Sequence, residues 1–241
     1  MFKDIKVIFF DMGNTLLHFH YGKSDEEKDD IGLRLLADYL KEFNEEITLN
    51  EIKSDFYDKW MEIMPLRKKL LIEFPIDDYL NGFLHKYNVK LSHSECIKAI
   101  NLFYTEYKKQ LYFENDIVEI LRCIKLKGYK IGVISNTCYY EEVIKDCFKI
   151  AKIDNLIDYY TFSYYLRILK PNKEIFKVAL GKANVCPRES IMVGDNIEAD
   201  IKPALELGIN TVWFNKNNIE NKTRTIPDIE IAKISEICNY I

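Results

Sequence analysis

Three short apolar runs in this chain each end on a polar residue, and this repetition restricts its fold more than any other feature. Phe10 leads into Asp11, Ile134 into Ser135-Asn136, and Val193 into Gly194-Asp195. Around them the pattern alternates. Residues 131–134, 159–162, 191–193 and 211–214 read as strands. Residues 116–127 read as a helix stopped by Gly128, and Pro171 stands where a first-turn proline leads a helix through Phe176 and Leu180. A further short helix runs to Leu207 and stops at Gly208. Strands alternating with helices at this spacing predict a parallel sheet covered on both faces. In such a sheet ligands bind outside the carboxyl ends of the strands. If the three runs are neighbours, Asp11, Ser135 and Asp195 enter one crevice from distant parts of the sequence.

Residues 24 to about 110 differ in character and read as helix after helix. Thr48-Leu49-Asn50-Glu51 and Ser92-His93-Ser94-Glu95 both fit a capping box, in which hydroxyl and carboxylate satisfy end amides reciprocally. After the first box Ile52, Phe56, Trp60 and Ile63 recur at three- and four-residue steps, which predicts one apolar helix face. Cys96, Ile97, Ile100, Phe103, Tyr104 and Tyr107 do the same after the second. Ile31, Leu35, Leu36, Tyr39, Leu40 and Phe43 mark an earlier helix behind the acidic stretch 25–30. Pro65 and Pro75 stand where helices end or kink. The expected architecture is a doubly wound, Rossmann-like α/β fold, with a helical unit inserted after its first strand.

Composition removes several functions. The net charge of −4 offers no global field for nucleic acid or anionic lipid, and Arg67, Lys68 and Lys69 read as a solvated helix face. The run Val7-Ile8-Phe9-Phe10 falls far short of the ~20 residues of a membrane span. Six cysteines lie scattered without the close spacing of zinc ligands, which suits free thiols in a reducing cytoplasm. Neither a nucleic-acid nor a membrane partner is expected, and the oligomeric state is left open. The acidic residues Asp11, Asp195 and Asp200, if gathered, repel one another unless a hard cation sits among them, and Mg²⁺ favours such an oxygen cage.

Four motifs then stand in order: Phe10-Asp11-Met12-Gly13-Asn14-Thr15-Leu16, Val133-Ile134-Ser135-Asn136-Thr137, Leu169-Lys170-Pro171, and Gly194-Asp195-Asn196-Ile197-Glu198-Ala199-Asp200. From Asp11 to Ser135, Lys170 and Asp195 the separations are 124, 35 and 25 residues. With these, the chain resembles the haloacid dehalogenase superfamily of hydrolases over essentially its whole length. The resemblance implies a core of residues 1–18 and 113–241 under an α-helical cap, 19–112. It implies a Mg²⁺-dependent phosphatase acting on a small phosphorylated metabolite, with Asp11 attacking phosphorus to form an aspartyl-phosphate. Mg²⁺ is then held by Asp11, the Gly13 carbonyl and Asp195, while Asp200 binds through water or holds Lys170. Thr15, Ser135 and Asn136 serve the phosphoryl group and its loop, and Lys170 neutralises its charge.

The pattern departs from the family at Gly13, where most phosphatases of this kind carry a second aspartate as general acid and base. Such help is worth about 10²–10⁴-fold, so its absence slows turnover without abolishing it. His18 and His20 lie close enough in sequence to substitute, though a solvated or packed histidine is the plainer reading. Tyr139-Tyr140, Tyr159-Tyr160 and Tyr164-Tyr165 read mainly as core and rim packing. Two alternatives follow from Gly13: a metal-independent 2-haloacid dehalogenase in which Asp11 attacks carbon, and an inactive relative that only binds a ligand. The acidic pair Asp195 and Asp200 favours the phosphatase.

Overall fold

The computed structural model describes residues 2–241. Six strands form one parallel sheet: β1 (Val7–Phe10), β2 (Lys130–Ser135), β3 (Tyr159–Phe162), β4 (Ser190–Gly194), β5 (Asn210–Phe214) and β6 (Ile229–Ile231). Their spatial order is β3-β2-β1-β4-β5-β6. Phe10 pairs in register with Val133 on one side and Val193 on the other. The three polar-ended runs are therefore adjacent central strands. Their carboxyl ends meet where the strand order reverses, which is where an open sheet of this kind leaves a crevice.

Between their ends the central strands are apolar because both sheet faces are covered. Ile8, Phe10, Val133 and Val193 pack into one layer with the helices Ile117–Leu126 and Glu141–Ile150, while Val7, Phe9, Ile134 and Met192 pack into the other with Lys173–Ala183. Gly132 makes room between strands, since a Cβ there would stand 2.4 Å from Cδ1 of the buried Phe9. β6, three residues long, and the closing turns Ile234–Asn239 are additions that the sequence pattern did not announce.

Between β1 and β2 lies a helical insertion. It comprises Asp25–Leu40, a continuous helix over 49–70 with π-helical turns at Ile52–Tyr57, then Ile76–His85, His93–Phe103 and Thr105–Lys109. Its two ends are tied together: His18 N–H donates to the Tyr112 carbonyl at 2.8 Å and Tyr112 N–H returns to His18 at 3.1 Å. Both expected capping boxes form, and a third, Ser24 with Glu27, starts the first helix. The acidic stretch is thus the opening of that helix rather than its lead-in, where carboxylates face the positive end of the helix dipole.

Two prolines behave differently from expectation. Pro65 lies inside the helix Asp58–Leu70 without ending it, on the exposed side where the carbonyl it frees can be hydrated. Pro171 precedes the next helix instead of occupying its first turn. Asn172 supplies the cap, its side chain accepting from Glu174 N–H at 3.0 Å. Gly132→Ala is expected to cost about 1–3 kcal/mol by overpacking Phe9. Urea unfolding measures this, and a variant as stable as the parent would contradict the packing.

Candidate active site

Asp11 leaves the end of β1 with its backbone N–H donated to Val193 at 2.8 Å, which fixes it over the junction with β4. Oxygens of Asp11, Asp195 and Asp200 lie within 4.8 Å of one another. Lys170 Nζ donates to Asp11 Oδ1 at 2.5 Å and to Asp200 Oδ1 at 2.7 Å. The second Asp200 oxygen accepts from Asn196 N–H at 3.1 Å. Asp200 comes this close because position 194 has no side chain: a Cβ there would stand 2.4 Å from Asp200 Oδ2. Asn196 caps the turn Ile197–Ile201, accepting from Ala199 N–H at 2.9 Å, and so aims Asp200 back towards the lysine.

The lysine is held by β2. Asn136 Oδ1 accepts from Lys170 N–H at 2.8 Å, and Asn136 Nδ2 donates to the Lys170 carbonyl at 3.0 Å. The Asn136 amide thus clamps the backbone of Lys170, and only its main chain remains to meet a ligand. Ser135 lies at the end of β2 and lines the cavity with Asp11, Gly13 and Lys170. Thr15 lies buried in the loop after β1, off the cavity wall. At Gly13 an added Cβ would meet nothing within 4 Å.

The electrostatics follow from crowding. Burial, countered by Lys170, pushes the Asp11 carboxyl up to about 7. Burial and the neighbouring Asp200 push Asp195 up to about 6. Burial works against the charge of Lys170, yet Asp11 and Asp200 outweigh it and raise its pKa above the usual lysine range. Among the described residues Lys170 is paired with two of the three carboxylates and Asp195 has no cation of its own. A largely buried donor set of hard oxygens with excess negative charge fits a divalent cation such as Mg²⁺.

The cavity above these groups measures about 420 Å³. Its roof comes from the insertion: Trp60, Met64 and Arg67 of one helix, with Tyr104 and Tyr107. Arg67 corrects the sequence reading, because it turns into the cavity while Lys68 and Lys69 stay exposed. Glu73 draws it in with a bidentate pair, a partner six residues away that helical periodicity does not flag. Glu73 also accepts from Ser163 Oγ, which in turn accepts from Thr137 N–H at 2.8 Å. Backbone bonds join the same segment to the core, from Glu73 N–H to Arg167 O and from Leu169 N–H to Leu71 O.

Of the histidines, His20 lines the cavity with Nδ1 2.7 Å from Asp25 Oδ2, whereas His18 lines a neighbouring pocket and burial lowers its pKa. Of the tyrosine pairs only Tyr139 reaches the cavity. Tyr140 and Tyr164 instead pack together, and Tyr164 donates to Asp77 at 3.0 Å.

Residues 8–214 match the haloacid dehalogenase-like hydrolases, and the chain belongs to that family. It is 31% identical over 215 residues to a glyceraldehyde 3-phosphate phosphatase of Pyrococcus furiosus, covering 87% of this chain and 80% of that one. It is also 31% identical over 133 residues to (S)-2-haloacid dehalogenase 4A of Burkholderia cepacia, covering 55% and 54% of the two chains. The fold matches a crystal structure of 2-haloacid dehalogenase from Pseudomonas syringae pv. tomato with a TM-score of 0.66, at 18% identity and 98% and 97% coverage.

The raised carboxyls give a pH prediction. The folded site keeps protons that the unfolded chain has lost, so their contribution to stability is full below the unfolded carboxylate range and fades as pH rises through 6 to 7. A divalent cation competes with those protons. Mg²⁺ is expected to raise the melting temperature of EDTA-treated protein more at pH 8 than at pH 5.5, and equal shifts would refute this assignment of the carboxyls.

Proposed function

We propose that this hydrolase is a Mg²⁺-dependent phosphatase that acts on a small phosphorylated metabolite through an aspartyl-phosphate. The observation that carries the reading is the clustered trio of buried Asp11 and Asp200 with half-buried Asp195, and only one lysine among them. A nucleophilic aspartate attacking carbon has no use for the uncompensated charge of Asp195, whereas a cation-assisted attack on phosphorus does. Bound Mg²⁺ would neutralise charge on the phosphoryl oxygens, held by Asp11, the Gly13 carbonyl and Asp195.

In this reading Asp11 forms a bond to phosphorus as the ester oxygen leaves, and water then cleaves the acyl-phosphate. Lys170 offsets charge on the transferred group, positioned by Asp200 and by the Asn136 clamp. The Ser135 hydroxyl and the main-chain amides after it donate to phosphoryl oxygens. Thr15, within the nucleophile loop, keeps that loop in place. The helical segment 19–112 serves as a cap over the core 1–18 and 113–241, excluding water and choosing the substrate. The small cavity and the phosphatase relative together support a short phosphorylated metabolite. Six cysteines without a disulfide support work in a reducing cytoplasm.

Hydrolysis of p-nitrophenyl phosphate is expected with Mg²⁺ and lost in EDTA and in Asp11→Asn. Release of chloride from 2-chloropropionate without metal, together with silence on phosphates, would establish the dehalogenase instead. Gly13 offers no carboxyl to protonate the leaving group, and the space beside it is open. Gly13→Asp is therefore expected to raise kcat on alkyl phosphates by about 10²-fold, with little gain on p-nitrophenyl phosphate, whose leaving group needs no proton. Equal gains on both would show that the added carboxylate acts in some other way.

A further inference from the structure

One cavity side chain is unused by that chemistry. With Lys170, Arg67 is one of two permanent cations on the cavity wall. Its Nε and Nη2 donate to the two oxygens of Glu73 at 2.5 and 2.7 Å. The Glu73 side chain is fully buried and Arg67 is four-fifths buried, so the pair is fixed. A guanidinium carries five N–H donors. The three not used on Glu73 have no acceptor among the described residues. Around them the roof is aromatic, with Trp60 anchored by its Nε1 to the Phe74 carbonyl at 3.2 Å and the rings of Tyr104 and Tyr139 4.5 Å apart.

We infer that Arg67 is the specificity-determining residue of this cavity, and that it binds a neutral oxygen acceptor, a carbonyl or hydroxyl, at the end of the substrate remote from phosphorus. The inference rests on the phosphatase reading and narrows its substrate class. Unmet donors in an apolar roof select for an acceptor, because a substrate without one leaves them unpaired. The acceptor is uncharged because Glu73 already balances Arg67. A carboxylate placed on the free edge of the guanidinium would be desolvated beside a neutral pair, with Glu73 repelling it. A carbonyl or hydroxyl carries no such penalty.

The test compares kcat/KM for glyceraldehyde 3-phosphate, glycerol 3-phosphate and 3-phosphoglycerate, with phenyl phosphate as a body lacking a remote acceptor. The wild-type protein is expected to favour the first two over the acid by at least about tenfold. Arg67→Met should remove at least about tenfold more activity from glyceraldehyde 3-phosphate than from phenyl phosphate. Glu73→Gln keeps the shape and uncovers the charge of Arg67, so it should shift the ratio towards 3-phosphoglycerate by a similar factor. A wild-type preference for the acid, or equal losses on every substrate in Arg67→Met, overturns the inference. If none of these phosphates is hydrolysed, the phosphatase reading is what has failed. Calorimetry with Mg²⁺ then decides the Arg67 assignment separately: 2-hydroxyethylphosphonate should outbind phosphonoacetate on the wild-type protein and lose that advantage in both variants, and the reverse order overturns it.

Discussion

A buried lysine shared between two aspartates organises this molecule. Lys170 reaches Asp11 and Asp200 from a segment 159 residues away from the first and 30 from the second, so three segments distant in sequence must converge before all of these charges are satisfied. Removing one partner from such a cluster leaves a buried charge uncompensated, which makes its members far more interdependent than surface ion pairs. Much nearby detail serves this convergence. The bare backbone of Gly194 admits Asp200, the Asn196 cap turns it inward, and the Asn136 amide holds the lysine by its main chain.

The sheet and the floor of the site were legible because they obey local rules. Apolar runs ending in Asp11, Ser135 and Asp195 state both the strands and the direction in which they open, and capping boxes at Thr48 and Ser92 state where helices start. Local rules give way where something distant competes with them. Asp25–Asp30 looked like a polar lead-in until Ser24 and Glu27 capped the helix ahead of it. Pro171 looked like a first-turn residue, although Asn172 takes the capping role.

The roof was much less legible. Arg67 sits among lysines and reads as solvated, and only its pairing with the buried Glu73 turns it inward. Glu73 itself falls between two helices, where no periodicity announces burial. Asn136 shows the same limit on a smaller scale: its position beside Ser135 was readable, but the commitment of its amide to Lys170 depends on a neighbour 34 residues along the chain. Spacing identifies which residues reach the crevice, and partners decide which of their atoms remain free there.

The paired backbone bonds between His18 and Tyr112 have a consequence for the history of such a chain. The insertion departs and returns at neighbouring points, so it meets the sheet as a closed loop at its base, with further backbone ties to the core around Leu71, Glu73 and Ile76. The entropy of closing a loop grows slowly, by about 0.6 kcal/mol for each doubling of its length. A chain built this way can lengthen or remodel the helices away from those ties while the strand ends beneath stay as they are. Change in the roof of the cavity and constancy in its floor can then arise on separate pieces of one polypeptide.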